Sequence, residues 1–549
     1  MSMKIWHKAR EEHGMMVIVA VLITLFFNLG FFSSVTELLH RAEHNALMFH
    51  FSIAVSVFLW ILFYMLLLSL FVSTRVVAVV FLVLSAVIAF VQNEYRVIFD
   101  ETMIRNLVET DIHEASDLIS LRWVAFVLLA GVVPAVLVWR QTSLQPGLLY
   151  RIRRKLGYLS LLLVVFTANV YAFSGDYASL LRNNRYIRDE IVPTGFLYST
   201  YKYAKESLPA MHRDFVKVGQ DAQFVTTSGL AEKKMLFVVV VGETARAANF
   251  GLSGYTRNTT PLLAQRIANK DNLYYFDDFY SCGTSTTISV PCMFSAENQN
   301  TFDVDDEKSQ ENLLDLLTHA GLRVVWIDNN SGCKGVCDRV ETIKVSDMPA
   351  LKNCDKDGCF DEALVQAMDK ALDEKVAENT VIVLHQQGSH GPAYYERAPQ
   401  AFHQFQPTCH SNNLPDCTHN EIVNSYDNSI LYTDYVLNGI IDHLQQLSSR
   451  YATAMLYASD HGESLGEHGL YLHGMPYSIS PDEQRHVPAL LWFSDAYQQA
   501  FAIAPEQLQQ QVSQRHSHDN IFHTLLGAMQ VKTVAYQPRW DMVHGHQRI

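Results

Sequence analysis

The sequence predicts five membrane-spanning helices followed by an exported α/β domain on a doubly wound central sheet. Three observations carry this. Five early stretches hold no charged residue for about the length a bilayer demands. All eight cysteines fall between positions 282 and 417. From Lys234 onward, short β-branched runs alternate with longer helical patterns. The chain has 549 residues, 49% hydrophobic, with a formal charge of −14. That apolar content, with 30 Phe and 25 Tyr, excludes disorder. The acidity argues against a nucleic-acid binder, which would show a basic face.

The uncharged stretches are Met15–Ser34, Phe51–Val72, Val76–Asn93, Trp123–Trp139 and Leu156–Gly175. A helix crosses about 30 Å of hydrocarbon with roughly 20 residues, so the first, second and fifth reach comfortably and the others sit near the lower limit. Together they define a membrane domain over 1–175. Its orientation follows from the bases: Lys4, Lys8 and Arg10 precede the first stretch, Arg75 lies between the second and third, and Arg151, Arg153, Arg154 and Lys155 precede the fifth. The opposite loop, Gln92–Arg122, is acidic on balance. The amino terminus is therefore placed in the cytoplasm, and everything after Gly175 outside. Ser33-Ser34-Val35 is a poor cleavage site, so the first stretch reads as an anchor rather than a signal peptide.

Residues 176–230 read as a connector, in which Leu180–Arg188 and Phe196–Glu206 place aromatics and bases at helical spacing, suiting helices on a membrane surface. The exported domain spans 231–549. Its clearest strand runs are Met235–Val241, Leu322–Ile327, Thr380–His385 and Ala452–Ala458, with helical patterns over Gln310–Ala320, Phe360–Ala377 and Tyr426–Ser448 between them. Its cysteines fall into near neighbours: Cys282 with Cys292, Cys333 with Cys337, Cys354 with Cys359, and Cys409 with Cys417. Export favours disulfides, although eight cysteines formally allow about 105 pairings. The alternative is a structural zinc on Cys333, Cys337, Cys354 and Cys359.

In a doubly wound sheet, chemistry gathers beyond the carboxyl ends of strands. Three of the runs end in Gly242-Glu243-Thr244-Ala245-Arg246, in Gln386 to Pro392 with His390, and in Ser459-Asp460-His461-Gly462-Glu463. Asp, Glu and His meeting at one edge supply ligands suited to zinc. The segment Ser281-Cys282-Gly283-Thr284-Ser285-Thr286-Thr287 reads as a helix start, where free amides favour an anion. Thr284 is either an N-cap or, facing a metal, a nucleophile.

As a set, Gly-Glu-Thr-Ala-Arg at 242–246, Cys-Gly-Thr-Ser at 282–285 and Ser-Asp-His-Gly-Glu at 459–463 resemble the lipid A phosphoethanolamine transferases, including the mobile colistin resistance enzymes, within the alkaline phosphatase and sulfatase superfamily. The resemblance covers essentially the whole chain. It implies a zinc held by Glu243, Thr284, Asp460 and His461, with Thr284 as nucleophile, and His390 and His473 binding substrate phosphate or an added second zinc. One of these histidines would serve as general acid. It also implies substrate contacts from Ser331 and Lys334, and ethanolamine contacts from Asn106, Thr110 and Glu114, which share one face if helical. The implied reaction passes phosphoethanolamine from phosphatidylethanolamine to a lipid A phosphate through a threonine ester, releasing diacylglycerol. The modified lipid A carries less negative charge and attracts polymyxins less. The implied setting is the bacterial inner membrane, with a monomer whose catalytic domain is periplasmic. Two alternatives stand beside this: a phosphoglycerol transferase of the lipoteichoic-acid type, and a lipid-sensing membrane protein with a structural metal.

Overall fold

The structure, a computed structural model, describes residues 14–41, 47–109, 119–140, 148–210, 213–225, 233–348, 351, 354–355, 358–373 and 378–544. These residues fall into two compact units, 1–104 with 119–204, and 105–118 with 205–549. The connector predicted over 176–230 is divided between them.

The first unit is helical. The first predicted span is a bent pair, α1 (Gly14–Phe27) and α2 (Leu29–His40), meeting at 57°. The bend is at Asn28, whose buried amide donates to the carbonyls of Ile23 and Val192, both at 3.0 Å, and accepts the Val192 amide at 2.8 Å. A polar side chain satisfied outside the helix ladder explains the break. Helices α3 (Leu47–Leu68) and α4 (Thr74–Tyr95) follow, each long and apolar enough to cross a membrane. Ser73 caps α4 by accepting the Val76 amide. The short α5 (Glu101–Glu109) lies in the predicted outer loop. Helices α6 (Leu121–Arg140) and α7 (Leu149–Ala172) complete the spans. Helix α7 begins before the predicted Leu156 because it absorbs the basic run, where Lys155 is buried with its ammonium 2.5 Å from the Ser69 carbonyl. The connector forms α8 (Ser174–Asn183) and α9 (Thr194–Ala210).

The second unit is built on a seven-stranded sheet. Its strands are β1 (Lys234–Gly242), β2 (Leu273–Phe276), β3 (Arg323–Asp328), β4 (Glu341–Lys344), β5 (Thr380–His385), β6 (Tyr451–Ser459) and β7 (Ala489–Phe493). Their spatial order is β2-β7-β6-β1-β5-β3-β4. The four predicted runs are the four central strands β6, β1, β5 and β3, all parallel and in contact with core on both faces. The predicted winding holds for these and for β4, but β7 runs antiparallel to both of its neighbours, β6 and the edge strand β2, making the sheet mixed. The chain returns from β6 to β7 without a crossover helix, which an antiparallel neighbour permits.

Register decides what this sheet can present. Ser459 lies opposite Gly242, Val241 opposite His385, and His385 opposite Asp328. The carboxyl ends of β6, β1, β5 and β3 therefore finish at nearly the same level. Two helices matter to that edge: α10 (Thr286–Met293) and α11 (His419–Leu447), the latter started by a capping box of Thr418 and Glu421. The cysteines form the four neighbouring disulfides, 282–292, 333–337, 354–359 and 409–417, and none is free. A zinc on Cys333, Cys337, Cys354 and Cys359 is thereby excluded, because those sulfurs are bonded to one another.

Candidate active site

Beyond β1 and β6 the two chain segments are stitched together. The Asp460 amide donates to the Gly242 carbonyl at 3.0 Å, and the Thr244 and His461 amides donate to Asp460 Oδ1 at 3.1 and 2.7 Å. The Ala245 amide donates to the Ser459 hydroxyl at 2.8 Å. Gly242 is obligatory here, since a Cβ would lie 2.6 Å from the Tyr457 ring. Thr244 turns the chain at φ +58°, and the Tyr426 hydroxyl of α11 donates to its carbonyl at 2.7 Å while accepting the Arg246 amide at 2.9 Å. Arg246 continues the lattice, donating to the Glu463 carbonyl and the Glu467 carboxylate at 2.9 and 2.8 Å.

This stitching brings Glu243, Asp460 and His461 into one fully buried group, their potential ligand atoms all within 4.8 Å of one another. His461 Nε2 is 3.3 Å from Glu243 Oε1 and 3.3 Å from Asp460 Oδ2. With Nδ1 donating to the Gly462 carbonyl at 2.9 Å, the ring turns Nε2 toward two carboxylates. Two carboxylates and a ring nitrogen facing one point favour positive charge between them, supplied by a proton on Nε2 or by a metal ion. The protonation tendencies say the same: burial opposes charge on His461, yet Asp460 and Glu243 draw it up to about 10. Burial and the neighbouring Glu243 push Asp460 up to about 7. Among the described residues, buried Asp460 Oδ2 has no hydrogen-bond partner. An orphaned carboxylate oxygen beside a second carboxylate and an imidazole nitrogen is a donor set that fits zinc.

A hydroxyl completes the group, and it belongs to Thr286. Its Oγ1 lies 3.2 Å from Glu243 Oε2 and 3.4 Å from His461 Nε2. The expected residue, Thr284, is engaged elsewhere: its hydroxyl donates to the Met475 carbonyl at 2.6 Å and its own carbonyl accepts the Gly474 amide at 2.8 Å. The loop lies along the 473–475 segment through Thr284, and α10 begins only at Thr286, whose side chain is thus the one at the helix start. The Cys282–Cys292 bridge closes this loop, and Gly283 has no space for a Cβ, which would meet Ile288 at 2.7 Å. Buried His518 ties the loop to β6, accepting the Cys282 amide at Nδ1 and donating from Nε2 to the Ser459 carbonyl. Burial depresses its pKa to about 3, so it serves as a neutral strut.

The expected histidines converge. The His473 ring centroid is 4.3 Å from that of His461 and 5.3 Å from that of His390. His473 Nδ1 lies 2.8 Å from Glu463 Oε2, and Glu463 Oε1 accepts the Tyr394 hydroxyl at 2.5 Å. Burial and nearby His461 hold His473 below its ordinary value, against the pull of Glu463. Lys334 and Ser331 also meet, with Nζ 2.9 Å from the serine hydroxyl. Asn106 accepts the Thr287 hydroxyl, one residue from Thr286. Thr110 and Glu114 lie outside the described residues. Sequence reasoning passed over Asn330, whose Nδ2 donates to Glu243 Oε2 at 2.9 Å and to the Gln386 carbonyl at 2.7 Å. Its position at the end of β3, beside the singled-out Ser331, was the available signal. Glu463 and His518 were likewise not assigned roles; only spatial neighbours give them one.

Residues 236–531 match the family described as Sulfatase, and residues 55–208 the family described as Phosphoethanolamine transferase EptA/EptB. The chain is 36% identical over 542 residues to the phosphoethanolamine transferase EptA of Escherichia coli K12, covering 97% of each. It is 36% identical over 501 residues to the phosphatidylethanolamine transferase Mcr-1 of Escherichia coli, covering 89% of this chain and 91% of that one. The solved integral membrane lipooligosaccharide phosphoethanolamine transferase A of Neisseria meningitidis is 33% identical with a TM-score of 0.92, covering 97% of this chain and 98% of that one.

Proposed function

The chain belongs to the lipid A phosphoethanolamine transferase family, within the sulfatase and alkaline phosphatase superfamily, and on that premise we propose that it transfers phosphoethanolamine through the hydroxyl of Thr286. The observation that carries this choice is the Thr286 oxygen, 3.2 Å from Glu243 and 3.4 Å from His461.

In the first half-reaction, Thr286 Oγ1 attacks the phosphorus of phosphatidylethanolamine, the bond to diacylglycerol breaks, and the phosphoethanolamine is left as a threonine ester. In the second, a phosphate oxygen of lipid A attacks that ester and Thr286 regains its hydroxyl. Zinc held by Glu243, Asp460, His461 and Thr286 would lower the pKa of the hydroxyl and offset charge developing on the phosphoryl oxygens. The remaining work falls to the protein's own groups. The first amides of α10 and the Lys334 ammonium favour an anionic phosphoryl group beside Thr286. His473 is oriented by Glu463, which is itself held by Tyr394, so its unprotonated Nε2 is the better-positioned group to take up the proton released by the Thr286 hydroxyl and pass it to the departing alkoxide, with His390 beside it. Asn106, with Thr110 and Glu114, would receive the ethanolamine.

The setting follows the same logic. Both lipids present their headgroups at a membrane surface, and the four disulfides suit an oxidising compartment, the periplasm. The basic segments flanking the spans place the amino terminus in the cytoplasm of a bacterial inner membrane. An added ethanolamine cation lowers lipid A charge and with it the attraction for polymyxin and colistin. Thr286→Ala and Thr284→Ala, compared at equal zinc content for diacylglycerol release and for a lipid A mass gain of about 123 Da, test the assignment. Thr286→Ala abolishes transfer and Thr284→Ala retains it; transfer surviving in Thr286→Ala overturns the reading.

A further inference from the structure

Helix α5 carries a buried arginine that the reaction above does not use. Arg105 is 3% exposed, and its guanidinium forks onto both carboxylate oxygens of Asp305, each contact 2.8 Å, with a third contact to the Ser207 hydroxyl at 3.2 Å. Asp305 is equally fixed. It lies in the first turn of the short helix Val304–Glu307, its amide accepted by the N-cap Asp303 at 2.9 Å, and its Oδ2 also accepts Ser207 at 3.2 Å. Burial alone would push the Asp305 carboxyl up; the hydrogen bonds and charge of Arg105 outweigh it and hold the carboxyl below its ordinary value. A desolvated, bidentate pair of this kind has directional strength, and either partner left alone is a buried uncompensated charge.

What the fork holds in place is the rest of that helical turn. Asn106, the next residue, accepts the hydroxyl of Thr287, which adjoins Thr286. Glu109, one turn on, accepts Lys308 Nζ at 2.5 Å, lies 3.6 Å from Arg105, and offers its carbonyl to Lys334 Nζ at 3.4 Å. Three successive attachments thus run from Asp305 to the neighbour of the reacting hydroxyl and to the substrate-side lysine. Neither Arg105 nor Asp305 touches the reacting atoms.

We propose that Arg105 and Asp305 are a positioning pair that seats the Asn106–Glu109 turn beside Thr286 and thereby sets affinity for the ethanolamine headgroup of the donor lipid. This rests on the transferase reading above. A pair acting in this way changes uniform binding of the donor rather than the chemical step, so its loss is read in KM.

The test uses the full chain in mixed micelles of phosphatidylethanolamine and phosphatidylcholine with lipid A as acceptor. Arg105→Ala and Asp305→Ala each raise KM for phosphatidylethanolamine about tenfold and leave kcat within about twofold. The double variant is no worse than either single, because removing both leaves no stranded charge, and Arg105→Lys recovers part of the loss. Asp305→Asn and Arg105→Lys keep side-chain volume and serve where an alanine variant fails to fold. An unchanged KM, a loss confined to kcat, or single effects that multiply in the double overturns the proposal. Thr286→Ala in the same assay separates the two claims. If it retains transfer, the reaction assigned to Thr286 falls; if it is inactive while Arg105→Ala and Arg105→Lys keep the parental KM, only the pair falls.

Discussion

Asn330→Ala perturbs the proposed zinc site without replacing any of its four ligands. The wild-type amide spans two loops: Nδ2 donates to Glu243 Oε2 at 2.9 Å and to the Gln386 carbonyl at 2.7 Å, while Oδ1 accepts the Ser331 amide at 2.6 Å. Truncation leaves Glu243 Oε2 with the Thr286 hydroxyl at 3.2 Å, and Oε1 with the Thr244 hydroxyl at 2.5 Å. A hydrogen bond to an ionised acceptor contributes about 1.5–3 kcal/mol. Loss of a group that orients a ligand typically costs about 10–100-fold in metal affinity, or about 1.4–2.7 kcal/mol. The two ranges overlap, so the zinc Kd of Asn330→Ala rises at least about tenfold and up to about a hundredfold. Competition with a chromophoric chelator on the purified full chain measures it, with circular dichroism confirming the fold. Transfer lost at limiting zinc returns when zinc is in excess. A Kd within about twofold of wild type would refute the claim that Asn330 orients a zinc-binding Glu243.

Cys282→Ser with Cys292→Ser opens a loop whose ends are 10 residues apart in sequence, a loss of about 3 kcal/mol by chain entropy. For a unit of this size that lowers the thermal midpoint by about 4 °C, read by differential scanning calorimetry, and kcat falls further because Thr286 is freed. Glu307, buried with Ser295 and Gln310 as partners, is pushed by burial up to about 7 from an ordinary 4.5. The folded state keeps this proton where the unfolded chain has released it, so the stability of the neutral form is full below pH 4.5 and declines as pH rises toward about 7. Glu307→Gln removes that decline: unfolding free energies from denaturant titration match the parent at pH 4 and exceed it at pH 8, by up to about 3 kcal/mol. Dialysis against a chelator abolishes transfer and zinc restores it; activity persisting in metal-free protein at wild-type rate contradicts the donor-set argument.

The parts of the fold visible in the sequence are those that a single residue type announces. Uncharged runs locate membrane helices because hydrocarbon excludes charge, and Val- and Ile-rich runs locate β1, β3 and β5, as the apolar run Ala452–Ala458 locates β6, because both faces of those strands are covered. Contiguous motifs at strand ends gathered Glu243, Asp460 and His461 because parallel register levels the strand ends. What stayed hidden depends on partners distant in sequence. The bend at Asn28 is paid to the backbone of Val192, 164 residues away. The antiparallel β7 is decided by how the chain returns from β6, which local composition does not encode. Among the hydroxyls from Thr284 to Thr287, spacing offers no way to tell which faces the ligands; the 473–475 segment engages Thr284 and leaves Thr286 to Glu243 and His461. Asn330 and His518 likewise act through groups 87 and 236 residues away.

The central claim is the covalent ester on one hydroxyl. Protein incubated with phosphatidylethanolamine in the absence of lipid A, quenched in acid, digested and sequenced by tandem mass spectrometry reports where phosphoethanolamine resides. The account predicts a modified peptide with the group on Thr286, which disappears when lipid A is added before the quench. Modification at Thr284, or turnover of both lipids by a Thr286→Ala variant that carries no adduct, would contradict it.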